Sequence, residues 1–131
     1  MSRLIRLVTV LAGMFLVAGC TSGDDAADEI HGTWLVEGIG VYTELAEDGT
    51  WGVWENAALA GEPYDWGTYT FDGETFVMTN AEGSECDGAV ATWTVEFSDD
   101  GQEARETFVE DSCTGSGVVR GQNMVLIRQT P

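Results

Sequence analysis

The residue types that most often perform chemistry are scarce in this chain. Of its 131 residues, one is a histidine, His31, and three are cysteines. No Gly-x-Ser-x-Gly segment occurs, and neither does a zinc-binding spacing of His and Cys nor an EF-hand loop. We therefore predict no catalytic residue, no metal site and no cofactor, and we do not expect an enzyme. The chemistry left to explain belongs to the three thiols.

The first thiol, Cys20, lies at the end of an apolar run that follows two arginines. Arg3 and Arg6 form a positive segment, Leu7–Phe15 is apolar, and Leu16–Cys20 has the sequence Leu-Val-Ala-Gly-Cys. The apolar run is too short to cross a hydrocarbon core, which takes roughly 20 residues, and it fits a secretory signal.

The segment that ends in Cys20 resembles the lipobox of bacterial lipoproteins. The resemblance implies that residues 1–19 are a signal peptide, removed once the Cys20 thiol carries a diacylglyceryl group. Acyl chains such as palmitate bind a bilayer with ~0.8 kcal/mol for each buried methylene. We therefore expect an extracytoplasmic protein anchored to the bacterial cell membrane, or to the outer membrane if the cell has one. An ordinary signal peptide beside an unrelated cysteine is the alternative.

Acylation of Cys20 would leave Cys86 and Cys113 as an even pair. Paired cysteines outside the cytoplasm usually form a disulfide, and we predict one between these two.

The charge of the chain limits its partners. The formal net charge is −18, and loss of Arg3 and Arg6 with the signal brings the mature chain near −20. Nucleic acid is excluded by that charge, and an anionic membrane surface would repel the protein, so the lipid must hold it there. The acidity favours a solvated outer face, with a cationic protein as the alternative partner.

After an acidic, Gly- and Ala-rich tether, the chain alternates apolar and polar residues in short runs separated by turns. Residues 20–31 form the predicted lipidated cysteine and tether. The predicted strands are Thr33–Glu37, Val41–Leu45, Thr50–Trp54, Gly67–Phe71, Glu74–Thr79, Ala89–Phe97, Glu103–Val109 and Val118–Arg128. About eight antiparallel strands is the number that closes into a small up-and-down barrel. We predict an all-β barrel over residues 32–131.

The connections differ at the two ends of such a barrel. Short Asp-Gly turns at Asp48-Gly49, Asp72-Gly73 and Asp100-Gly101 fall at one end, which we call the pinched end. The longer connections, together with the short link Gly38–Gly40, fall at the other, which we call the loop-rich end. The longer connections are Asn56–Asp65, Asn80–Gly88 and Glu110–Gly117.

Gly32-Thr33-Trp34 at the first strand resembles the Gly-x-Trp signature of lipocalins, and the hairpin Gly67–Phe76 is similar to one in small bacterial lipocalin-like domains. The resemblance implies that Trp34 closes the barrel base and packs against a basic residue near the end of the chain. Arg128 or Arg120 can be that residue, through a cation–π contact.

The longest loop brings a second aromatic group to the loop-rich end. Trp54, Leu59, Tyr64 and Trp66 lie in it or beside it. They could line a ligand-binding mouth or simply plug the barrel. We expect a lipoprotein that binds a small apolar ligand in its barrel. The alternative is a surface lipoprotein with a filled barrel that binds or inhibits another protein.

Overall fold

Eight antiparallel strands close into one barrel in the computed structural model, which describes residues 28–113 and 119–130. The strands are β1 (Gly32–Val36), β2 (Val41–Leu45), β3 (Thr50–Trp54), β4 (Asp65–Phe71), β5 (Thr75–Asn80), β6 (Val90–Phe97), β7 (Glu103–Asp111) and β8 (Met124–Arg128). Each strand pairs with its sequence neighbours, and β8 pairs with β1, so the sheet closes on itself. The prediction of an all-β up-and-down barrel is confirmed, and the fold is consistent with a lipocalin-like one.

Period-two alternation places the core inside the barrel. In β4, Asp65, Gly67, Tyr69 and Phe71 are buried, and the residues between them are exposed. The largest fully buried side chains are Trp34, Trp93, Ile30, Leu126, Val36 and Val53.

The turns of the pinched end are held by aspartate side chains. Asp72 Oδ1 accepts hydrogen bonds from the backbone N–H groups of Thr75 and Glu74, at 2.7 and 2.9 Å. These two bonds lower the pKa of the Asp72 carboxyl because they favour its ionised form. Asp48 and Asp100 bond in the same way to the backbone of Thr50 and Gln102.

Two local features shape the outer wall. A Cβ atom at Gly67 would collide with the backbone carbonyl of Thr79, so only glycine allows β4 to approach β5 at this point. In β7 the register shifts, because Trp93 pairs with Phe108 while Thr92 pairs with Glu110. The extra residue in this bulge, Val109, is exposed on the outside.

The observed elements differ from the predicted ones at several boundaries, and β7, for example, ends at Asp111 rather than Val109. Strand β4 begins at Asp65 rather than Gly67, and β8 begins at Met124 rather than Val118. Residues 28–31, predicted as tether, pack on the pinched end, and Ile30 there is completely buried. The predicted signal peptide, Cys20 and the rest of the tether lie outside the described residues. No helix within the described ranges is long and apolar enough to span a membrane.

Candidate functional site

The loop-rich end carries the two remaining cysteines. Cys86 in the β5–β6 loop and Cys113 just after β7 lie at disulfide distance, with their Cα atoms 5.8 Å apart. A bond here joins the β5–β6 loop to the chain just after β7.

A buried charge cluster fills the same end. The Arg120 side chain is 3% exposed and donates to both carboxylate oxygens of Asp111, at 2.9 and 2.6 Å. Its Nη1 atom also donates to Asn80 Oδ1 and lies 3.8 Å from Asp65 Oδ2. Asn80 in turn donates to Asp65 at 2.7 Å. Burial raises the pKa of Asp65, while the hydrogen bond from Asn80 and the charge of Arg120 oppose that rise.

The pinched end is closed by the other candidate arginine. The Arg128 Cζ atom lies 4.1 Å from the centroid of the Trp34 ring. Its three nitrogens donate to the backbone carbonyls of Gly101, His31 and Glu29, at 3.0, 2.7 and 2.6 Å. Arg128 is therefore the residue that packs on Trp34, while Arg120 lies in the cluster at the opposite end.

The four residues of the predicted mouth do not surround the barrel interior. Trp54 and Trp66 occupy outward positions of β3 and β4, and Tyr64 is 48% exposed. The Trp54 indole covers Gly52 on the outer wall and donates to the Gly61 carbonyl at 3.1 Å. Leu59 lies in the β3–β4 loop with a φ of +52°. None of the four lines the interior cavity. Strand alternation is the reason, because Trp51 and Val53 already point inward from β3.

The interior itself is nearly filled. Its cavity measures about 30 Å³. Apolar side chains line most of it, namely Val36, Leu45, Trp51, Val53, Phe76, Met78, Trp93, Val119, Met124 and Leu126, together with Thr43 and Glu106.

Glu106 is the functional candidate that the sequence reasoning missed. Its side chain points inward from β7 between the inward-facing Ala104 and Phe108. Burial alone raises the pKa of Glu106 to about 8. The signal was present in the sequence, since alternation along this strand places Glu106 on the same face as Ala104.

Exposed apolar side chains follow the outer wall next to the loop-rich end. Trp66, Val90 and Val109 are 36%, 41% and 53% exposed. Threonines lie between these apolar side chains on the same face of the sheet. Thr79 on β5 pairs with Thr68 on β4 and with Val90 on β6. We call Trp66, Thr68, Thr79, Val90, Thr92 and Val109 the outer strip. Exposed carboxylates flank it at Glu82, Glu85, Asp87 and Glu110.

No protein-family model, no curated protein and no solved structure matches this chain. Among residues 28–113 and 119–130, no group of three His, Cys, Asp or Glu residues is placed to hold a metal ion. The function has to be inferred from the geometry of the barrel.

Proposed function

We propose that the protein is an extracytoplasmic lipoprotein, anchored through an acylated Cys20, that binds another protein through its outer surface. The lipobox-like segment before Cys20 supports the anchor. Residues 28–31 lie at the pinched end, against Arg128 and Trp34. The loop-rich end would then point away from the membrane, towards partners in the surroundings.

The size of the interior is the observation that carries the choice of a protein partner. Pockets for small organic ligands usually measure roughly 300–1,000 Å³. The cavity here, at about 30 Å³, is a tenth of the lower bound. A filled barrel favours recognition on the outside.

Charge complementarity indicates the chemistry of the partner. The chain after Cys20 has 23 carboxylate residues and three arginines, Arg105, Arg120 and Arg128. Two of these arginines close the barrel ends, and the Arg105 side chain is 72% exposed. The partner should carry basic residues among apolar ones. Its basic residues would meet the carboxylates at the rim of the outer strip, and its apolar residues would pack on Trp66, Val90 and Val109.

Synthetic peptides of equal length test this proposal on the mature chain with Cys20 replaced by Ser. We expect an alternating Lys-Leu peptide to bind at least tenfold more tightly than Lys-Gly, and Glu-Leu not to bind. Trp66→Ser and Val109→Ser should each weaken Lys-Leu binding, by roughly tenfold for the tryptophan. Val125→Ser, an outward valine on β8, is the matched control and should have no effect. Equal binding of the two lysine peptides, or no effect of Trp66→Ser, would contradict the proposed surface.

The anchor has its own test. Wild-type cells should carry the protein in the membrane fraction, and Cys20→Ser should release it from that fraction because the thiol that takes the lipid is gone. Ser22→Ala is the control, since it changes a neighbouring residue but keeps the Cys20 thiol and should leave the protein in the membrane. A Cys20→Ser protein that is still processed and still membrane-bound would rule out the lipid anchor.

A small apolar ligand inside the barrel is the second candidate, and the flexible Met78 and Met124 side chains in the cavity wall favour it. Fluorescent apolar probes distinguish the two. Micromolar binding that is lost when Met78→Phe fills the cavity would favour the ligand, and no binding would favour the protein partner.

A further inference from the structure

Two buried polar groups belong to residues that line the interior cavity, and neither has the partner that buried polar groups usually have. Trp51 Nε1 is buried, and within the described residues it has no hydrogen-bond partner. No hydrogen bond to the Glu106 carboxyl occurs in that part of the chain either, although the residue is only 4% exposed. Both residues line the same cavity.

The donors and acceptors of these groups define what can bind. The Trp51 indole N–H only donates. The Glu106 carboxyl, with its pKa raised to about 8 by burial, is protonated at neutral pH, so it both donates and accepts. The Thr43 hydroxyl donates to the Gly52 carbonyl at 3.0 Å, so it offers only lone pairs to the cavity. A hydroxyl group, which accepts and donates at once, matches this set.

We propose that the barrel interior is a binding site for the hydroxyl group of a small neutral molecule, water or a short-chain alcohol, held between Trp51 Nε1 and the Glu106 carboxyl. The cavity volume of about 30 Å³ suits this size. One buried water needs about 10–15 Å³ of such space and several polar partners. A cation fits less well, because the Trp51 N–H would point its positive end at the charge. This site is independent of the proposed protein-binding surface.

Indole N–H signals in NMR spectra of the mature chain provide the test. The indoles of Trp34, Trp54 and Trp93 donate to backbone carbonyls, so their signals are internal references. A Trp51→Phe variant identifies the Trp51 signal. We expect magnetisation transfer from long-lived water to the Trp51 N–H, or a saturable shift of that signal on addition of methanol or ethanol.

The two sources of the hydroxyl group give different results. A water contact without a saturable alcohol effect assigns the site to water, and a saturable shift that removes the water contact assigns it to an alcohol. Either result supports the site. If the Trp51 N–H shows neither effect in the native protein, the proposal is overturned; the Trp51→Phe variant serves only to assign the signal.

Variants at Glu106 sharpen the result. Glu106→Gln keeps a donor and an acceptor in the same shape and should retain the contact. Glu106→Leu should abolish the water contact or weaken alcohol binding by about tenfold, because one of the two polar partners is lost. Glu96→Gln, an exposed carboxylate on β6, is the matched control. A Glu106→Leu protein that keeps the native contact would overturn the role of the carboxyl.

Discussion

The two ends of this barrel are both closed by an arginine, but the groups around each arginine are different. At the loop-rich end, Arg120 faces the carboxylates of Asp111 and Asp65. At the pinched end, Arg128 lies on the Trp34 ring and donates to three backbone carbonyls, so its partners are neutral. The long connections also carry the cysteine pair, whereas the tight turns of the pinched end are held by their own aspartates.

The difference between the partners of the two arginines predicts how much stability each end loses when its arginine is replaced. A buried arginine with two carboxylates leaves unpaired charges when it is removed, and those are costly in a low-dielectric interior. An arginine with neutral acceptors leaves only carbonyls, which water can reach at a barrel rim. The loop-rich end should therefore be the more sensitive of the two to substitution.

The largest expected effect is at the loop-rich cluster. Arg120→Met should lower the free energy of unfolding by about 3–5 kcal/mol, because Asp111 and Asp65 lose their counter-charge while buried. Denaturant unfolding at neutral pH measures the loss. Arg105→Met, at the exposed Arg105–Glu103 pair, is the control and should change stability by less than about 1 kcal/mol. A similar loss for both variants would mean that the cluster does not hold this end.

The cysteine pair should rank next. The two residues are 27 positions apart, for which the chain-entropy estimate is about 3–4 kcal/mol. The double variant Cys86→Ser/Cys113→Ser should lower the free energy of unfolding by that amount. It should also loosen the loop-rich end and leave the pinched end unchanged. We expect faster hydrogen exchange at two amides of the loop-rich end. The Ala89 amide donates to the Cys86 carbonyl, and the Ser112 amide donates to the Val90 carbonyl. The Gln129 amide, bonded to Thr33 at the pinched end, should be unchanged. Equal acceleration at both ends would remove the distinction between them.

The pinched end should respond less. Arg128→Met should cost about 1–3 kcal/mol, since it removes a cation–π contact and hydrogen bonds to neutral acceptors. The same unfolding measurement applies, and an indole signal of Trp34 that moves with the substitution would report the local change. A loss larger than that of Arg120→Met would reverse the order of the two ends.

An effect of the opposite sign is expected between the two ends of the barrel. Glu106 has a pKa of about 8 in the folded protein, against an ordinary value of 4.5. Between these pH values the unfolded chain binds fewer protons, so stability is full below pH 4.5 and falls as the pH rises through 8. Glu106→Gln removes that slope and should stabilise the protein at pH 7, because a neutral amide has no charged form to bury in the folded state. Denaturant unfolding at pH values from 4 to 8.5 measures this dependence of stability on pH. Glu96→Gln is the control and should keep the native slope. If Glu106→Gln also keeps it, the titrating group lies elsewhere.

Local patterns explain why much of the fold was predictable. Alternation and Asp-Gly turns are properties of neighbouring residues, and they located all eight strands to within two residues, except the start of β8. There the chain bends at Gly121, with a φ of +70°, and Val119 and Arg120 turn into the barrel instead of extending the strand. That bend serves the charge cluster, whose other members come from β4, β5 and β7.

The sequence by itself determined the number and order of the strands and the two kinds of end, because these depend on spacing along the chain. It also indicated Cys86 and Cys113 as a pair, because Cys20 lies in the lipobox-like segment. Only the tertiary structure decided which arginine packs on Trp34, since both lie near the end of the chain and the β1–β8 register opposes Trp34 to Arg128. It also left an interior cavity of only about 30 Å³, with Glu106 and Trp51 among the residues that line it. Those outcomes depend on how eight strands close around a fixed volume, and residues distant in sequence set that volume together.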